Sequence, residues 1–354
     1  MMGKLLYFAR RMPMSALLGV LGGILLLSVF LGLLLGYLPI GGRDLADILR
    51  YQVLGGESPA IGMGAASAVW DLRLPRVLLA ACVGMGLSLS GAVMQAIFRN
   101  PMADPYIMGV SSGASLGVAC AVFLGIGTAL GAGSMGVGAF LGAVAVSAAA
   151  AAAAGRFGGY DISYLLILGI ALGAVCAGVT GVLVYLGANS TGMDVTLYWL
   201  MGSVAAAKLP GTLILLVVVA GAAAFFTTQA RILNLMLEGE TAAIPLGRPL
   251  LPFMRLYLVL NALLVGCVVL NAGLIGFIGL LAPHFTRMLV GADHRRLIPA
   301  AVLFGGIAAV WADILGRALV PGVDIPLGVM LALMGAPAFI VMLTRRAYRF
   351  GGAE

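Results

Sequence analysis

Charge is scarce in this 354-residue chain: Asp, Glu, Lys and Arg make up 9% of it, where a water-soluble domain carries about a quarter, and 62% is hydrophobic. A domain bathed in water on every side is excluded, and the bilayer becomes the solvent. Lysine is nearly missing. Lys4 and Lys208 are the two present; Lys4 follows Gly3 but precedes Leu5, Lys208 follows Ala207, and the chain therefore has no Gly-x-x-x-x-Gly-Lys-Ser/Thr loop to cradle ATP. Histidine is limited to His284 and His294, far from Gly109-Val110-Ser111-Ser112-Gly113, which fits the Gly-x-Ser-x-Gly pattern of a hydrolase but opens an apolar helix instead of following a strand. Cys82, Cys120, Cys176 and Cys267 form no Cys-x-x-Cys pair, have no neighbouring His, and are read as small packing residues. Short segments of alternating polarity are also lacking, which excludes a transmembrane β-barrel. The 52 glycines and 15 prolines do not signal disorder, because Leu, Ile, Val and Phe crowd the same stretches.

What remains is a series of long uncharged runs. Residues 12–42, 77–98, 105–155, 162–193, 209–230, 256–286 and 325–344 contain no Asp, Glu, Lys or Arg, and a helical span needs about 20 residues. Residues 105–155 and 256–286 are long enough for two spans, broken at the glycines of 125–136 and at Asn271-Ala272-Gly273. With 297–316 added, the pattern predicts an all-α polytopic protein of ten spans, near 14–37, 74–98, 106–127, 135–154, 163–187, 209–228, 254–271, 273–290, 297–317 and 326–344. One transmembrane unit covers 1–354, with a short outer segment at about 38–73 and a cytoplasmic connection at about 230–254. The first apolar stretch exceeds a signal-peptide core and is read as a retained helix.

An even span count puts both ends on one side, and the side richer in Lys and Arg is cytoplasmic. Only Arg43, Arg50, Arg73, Arg76, Lys208 and Arg317 of the 20 basic residues fall on the other side. The net charge of +7 thus reflects topology and anionic lipid, and implies no nucleic-acid partner. An ion-driven carrier would place ionisable groups deep in the bilayer. The runs leave only Asp313 and Arg287, near span ends, so the work of transport is expected to come from outside the chain.

Three constellations stand out. Asp71-Leu72-Arg73-Leu74-Pro75-Arg76 sets two arginines three apart around a proline suited to a helix start; taken alone, this segment favours interfacial anchoring by snorkelling arginines. Gln95, Arg99, Asn100, Pro101, Ala103, Asp104 and Pro105 form a polar, twice-broken inner turn. In the 230–254 connection, Leu233, Leu235, Met236 and Leu237 are too apolar for a merely solvated loop, and a docking surface weighs at least as heavily. His284, alone beside Pro283, reads as a structural hydrogen-bonding residue and not as a metal ligand.

Together these residues resemble the FecCD family, the permease subunits of ABC importers for iron-siderophores, haem and cobalamin. The resemblance is carried by Arg73-Leu74-Pro75-Arg76, Ser90-Gly91 with Gln95, Asn100-Pro101-Met102-Ala103, and Gly109-Val110-Ser111-Ser112-Gly113-Ala114. Gly276-Phe277-Ile278-Gly279-Leu280 with Pro283-His284 and Arg287 continues it, as do Ile325-Pro326-Leu327-Gly328, Gly335-Ala336-Pro337, Asp293-His294-Arg295 and Ala312-Asp313 with Arg317. It implies a ten-span subunit of a bacterial cytoplasmic membrane, paired with a second copy of itself. Two separate ATP-binding cassette subunits inside would bind ATP and Mg²⁺, and a periplasmic or lipid-anchored substrate-binding protein would dock outside. This chain itself would hold no cofactor and no metal and would do no covalent chemistry. By the same resemblance, Arg73, Arg76 and Arg317 meet carboxylates of the binding protein. Asn234, Leu235, Leu237, Glu238, Gly239, Glu240, Leu246 and Gly247 match the coupling segment that sits on the ATPase, with Leu237-Glu238 where a small residue is usual before Gly-Glu. Ile162 and Ser163 match an inner gate, and Tyr198 and Trp199 fall in an outer segment of the pathway. An ion-coupled carrier or channel working without an ATPase stays open as the alternative, and the sequence does not choose among chelates.

Overall fold

The computed structural model describes residues 12–36, 40–55, 61–157, 162–187, 190–239, 250–320 and 322–344. Helix α1 (Met14–Leu34) is followed by a short amphipathic α2 (Gly42–Leu54) and by α3 (Met63–Ser67), which runs through a π-helical turn (Ala68–Arg73) into α4 (Leu74–Ile97). Next come α5 (Val110–Phe123), a 3₁₀ segment (Thr128–Gly133), α6 (Ser134–Phe157), α7 (Ile162–Leu186), α8 (Ser190–Leu200) and α9 (Leu209–Thr228). The chain closes with α10 (Ala230–Glu238), α11 (Leu251–Ala272), α12 (Ile278–Val290), α13 (His294–Ala318) and α14 (Leu327–Thr344). No strand occurs among the described residues.

Among the described residues seven helices are long and apolar enough to cross a membrane, and three shorter apolar ones, Val110–Phe123, Ile278–Val290 and Leu327–Val341, accompany them. The ten expected apolar segments are therefore all helical, but two begin later than expected. The third starts at Val110 because 99–109 is spent in turns around Pro101 and Pro105, and the eighth at Ile278 because Gly273 to Phe277 is not helical. The second departs the other way. Helix continues upstream of Pro75 to Met63, because a proline without an N–H is absorbed by a π turn in which Leu74 N–H reaches back to the Val69 carbonyl. Part of the expected outer segment thus belongs to the bundle.

α4 is the central element, buried almost continuously from Val77 to Ile97 and packed against α9, α11, α12 and α13. Its glycines permit this. A side chain at Gly84 would land on the Gly305 carbonyl oxygen of α13, and one at Gly91 on the Gly279 carbonyl oxygen of α12. Such approach replaces the hydrophobic drive that lipid cannot supply. At the end where α1 finishes and α4 begins, the outer one by the charge distribution, α2 lays Leu45 and Ile48 over Leu33 and Val69. Asp44 in its first turn accepts the Gly41 N–H at 3.0 Å.

Candidate functional site

Three helix breaks meet inside the bundle. Ser203 N–H donates to the Ala272 carbonyl at 2.8 Å and Gly328 N–H to the Gly202 carbonyl at 3.0 Å, joining the segments after α8, after α11 and before α14. Tyr106 places its hydroxyl 3.3 Å from both the Ile275 N–H and the Ile275 carbonyl, satisfying backbone that no helix serves. Beside this crossing lies a cavity of about 350 Å³, lined by Tyr106, Ser111, Leu200, Met201, Phe277 and Val329 among others. Phe277 holds φ +68°, a left-handed conformation rare for a bulky residue; such strain persists only where surroundings enforce it. The wall is mostly apolar, with Tyr106 and Ser111 as its polar side chains.

Of the family-motif residues, Ser111 and Gly328 line this cavity. Gly109, at φ +77°, precedes α5 where a β-carbon would press on the Gly169 carbonyl oxygen, Gly113 approaches the Gly142 backbone, and Pro326-Leu327-Gly328 opens α14. Gln95 is buried and donates to the Leu280 carbonyl at 3.1 Å, while Asn100 accepts the Met102 N–H before Pro101. Asp104 accepts the Tyr106 N–H at 2.9 Å. Enclosure pushes its carboxyl up to about 6, against the pull of that N–H. Pro283, buried His284 and Arg287 share α12, and among the described residues no group of three or more His, Cys, Asp or Glu could hold a metal ion. Trp199 reaches the crossing, where Gly202 N–H donates to its carbonyl, and Tyr198 is half exposed. Ile162 and the exposed Ser163 open α7, separated from that pair by the length of α7 and α8.

At the outer end a charge cluster is closed on itself. Arg76 Nε contacts Asp313 Oδ1 at 2.8 Å and its Nη2 donates to Asp324 Oδ1 at 2.7 Å, while Arg317 Nη2 lies 2.9 Å from Asp313 Oδ2. Arg73 Nη1 donates to the Leu33 and Leu34 carbonyls, and Arg317 to those of Gly32 and Leu35, so two guanidiniums cap the C-terminal end of α1. Side-chain exposure is 12% for Arg76, 7% for Arg317 and 1% for Asp313, against 35% for Asp324. Snorkelling into the interface, the reading of the 71–76 segment alone, is thereby corrected: unsatisfied carbonyls and Asp313 draw the arginines inward. The i,i+4 spacing of Asp313 and Arg317 was a legible signal of this. Asp324 gave none.

The inner end carries α10. Its apolar face is not offered to solvent: Leu233 and Met236 are buried in the chain's own core, and Leu235 and Leu237 pack partly against it. The expected exposure of these four residues is corrected, because an i,i+3 stripe finds its partner within the bundle. Arg231 and Glu238 point outward. Asn234 was expected on the ATPase side; its Nδ2 donates to Asp293 Oδ1 at 2.7 Å and its Oδ1 accepts the His294 N–H at 2.9 Å. Burial opposes ionisation of Asp293, but Asn234, the Arg295 N–H and the Arg295 charge outweigh it and hold the carboxyl below its ordinary value. Gly239 ends α10 beside the Arg99 guanidinium. Glu240, Leu246 and Gly247 lie outside the described residues.

Apolar helices broken around a bland cavity, with charge confined to the two ends, define a multi-pass membrane permease. Residues 24–345 match the FecCD transport family. The chain is 37% identical over 327 residues to the hemin transport system permease protein HmuU of Yersinia pestis, covering 91% of this chain and 96% of that one. It is 38% identical over 281 residues to the vitamin B12 import system permease protein BtuC of Salmonella typhi, covering 79% and 84%. Among solved structures, a metal-chelate type ABC transporter in an inward-facing conformation matches with TM-score 0.79 at 28% identity, over 94% of this chain and all of that one. PsaBC from Streptococcus pneumoniae, in complex with Fab, shares the fold at TM-score 0.58 and 18% identity, over 86% and 96%. The chain belongs to the FecCD transport family.

Proposed function

We propose that this chain is the membrane-spanning subunit of an ATP-driven, binding-protein-dependent importer for an iron chelate, siderophore or haem, or for cobalamin. Two copies enclose the pathway in a bacterial inner membrane, with termini in the cytoplasm and lipid around them. ATP and Mg²⁺ are bound by two cassette subunits and not by this chain, which has no P-loop lysine. The observation carrying this reading is the placement of α10, a short amphipathic helix seated across the inner ends of α4 and α13. A cassette closing beneath it moves the bundle and alternates access to the cavity, past Ile162 and Ser163 inside and Tyr198 and Trp199 outside. The binding protein docks over the outer cluster. Arg73, Arg76 and Arg317 against Asp313 and Asp324 leave one positive charge over, a field that orients an acidic partner more than it tightens the complex. Names of relatives support haem, corrinoid and metal chelates alike as passengers. The ion-coupled alternative loses ground because Asp313, the acidic side chain within the span His294–Ala318, is already committed to ion pairs with Arg76 and Arg317.

Native mass spectrometry of the complex extracted in mild detergent tests the assembly. Two copies of this chain with two cassette ATPases are expected; a lone chain extracted from membranes that also hold the cassettes would contradict it.

A further inference from the structure

Three helices are fastened to one another at both ends. α13 and α4 meet at Gly84 and Gly305, where each glycine faces the other's carbonyl, and at Ser88, whose hydroxyl donates to the Ala301 carbonyl at 2.7 Å. Their outer ends are joined by Arg76 and Asp313. α1 is tied to α13 at the inner end, where Arg296 donates to the Met12 carbonyl at 2.8 Å, and at the outer end by Arg317. Neighbours this close cannot slide past one another without backbone overlap, so α1, α4 and α13 move together or not at all.

α10 touches this body only at its inner end, where Leu233 and Met236 pack into the core and Asn234 makes the polar joint. Asn234 presents its amide as donor to the N-cap carboxylate of α13 and its oxygen as acceptor to the first N–H of that helix. Without it the His294 N–H would be unsatisfied, and the Asp293 carboxylate would be left with the Arg295 N–H. The side chain reads an acceptor and a donor at once, a pattern that neither a carboxylate nor an alkyl group reproduces.

We infer that Asn234 is the positioning residue that passes displacement of α10 to the α1–α4–α13 body, so that events at the ATPase are felt at the outer charge cluster. On α13 the cluster residues Asp313 and Arg317 lie close to the far end from His294, which places the cluster roughly 30 Å from the joint. The inference rests on reading α10 as the ATPase-facing helix.

The test uses the complex with its ATPase in liposomes, with the native cysteines replaced by alanine and a reporter introduced as Asp71→Cys, an exposed position beside the cluster. The rate of modification by a charged maleimide is compared without nucleotide and with ATP, Mg²⁺ and vanadate. With Asn234 in place, nucleotide changes the rate by about fivefold or more, and Asn234→Ala or Asn234→Asp cuts that response below about twofold. With Leu233→Ala, which loosens the apolar seat of α10 and leaves the amide joint in place, the response stays at about fivefold or more. A merely structural Asn234 would give the two variants the same response. A full response in Asn234→Ala, or an equal loss in Leu233→Ala, overturns the inference and leaves the importer reading standing. No response to nucleotide with Asn234 in place removes the reading of α10, and the inference with it.

Discussion

Asp313→Ala is expected to lower stability by about 3–5 kcal/mol, the cost of stripping a buried ion pair of one partner. Asp313 is the only fully enclosed member of the outer cluster and it faces two guanidiniums, those of Arg76 and Arg317, which are themselves mostly enclosed. Removing it leaves two like charges near each other with too little water to screen them. Asp324→Ala is expected to cost far less, on the order of 1 kcal/mol or below, because that carboxylate is 35% exposed and water can take its place. Thermal unfolding of the purified protein in detergent separates the two. Equal midpoints for both variants would show that burial does not govern the cluster.

Gly91→Ala is expected to be more damaging still. A β-carbon there falls on the Gly279 carbonyl oxygen, and a main-chain atom cannot rotate away as a side chain can, so the cost should exceed the roughly 1–3 kcal/mol of ordinary overpacking. Little or no folded protein should elute from size-exclusion chromatography. Gly19→Ala is the control: the position is exposed on α1, a β-carbon there meets nothing within 4 Å, and helix propensity favours the change. A wild-type elution profile for Gly91→Ala would contradict the close approach of α4 and α12.

The fold was legible because a bilayer demands uncharged runs, and those runs can be counted in any sequence. What the runs could not convey is where helices start. Gly273 to Phe277 and Tyr106 to Gly109 are as apolar as the helices that follow them, so hydropathy carries the reader straight through them, yet these breaks build the cavity. Pro75 suggested a helix start and instead sits just past a π turn in a helix that runs on from Met63, because a missing N–H can be absorbed as well as obeyed. The arginines at 73, 76 and 317 were identified as a group only through the family motif. The inward orientation of Arg76 was hidden, since Asp313 and Asp324 lie 237 and 248 residues beyond it. In α10 the spacing of Leu233 and Met236 announced an amphipathic helix but not which partner its apolar face would choose, and the face chose the chain's own core.

The central claim is that the chain is a conduit worked by separate ATPases. Accumulation of hemin and of cobalamin in liposomes tests it most directly, with the purified chain alone and with its cassette ATPase and binding protein added. Uptake against a gradient should require ATP and the added subunits, and the chain alone should concentrate neither solute under an imposed proton or sodium gradient. Uphill accumulation by the chain alone, driven by either ion, would contradict the account.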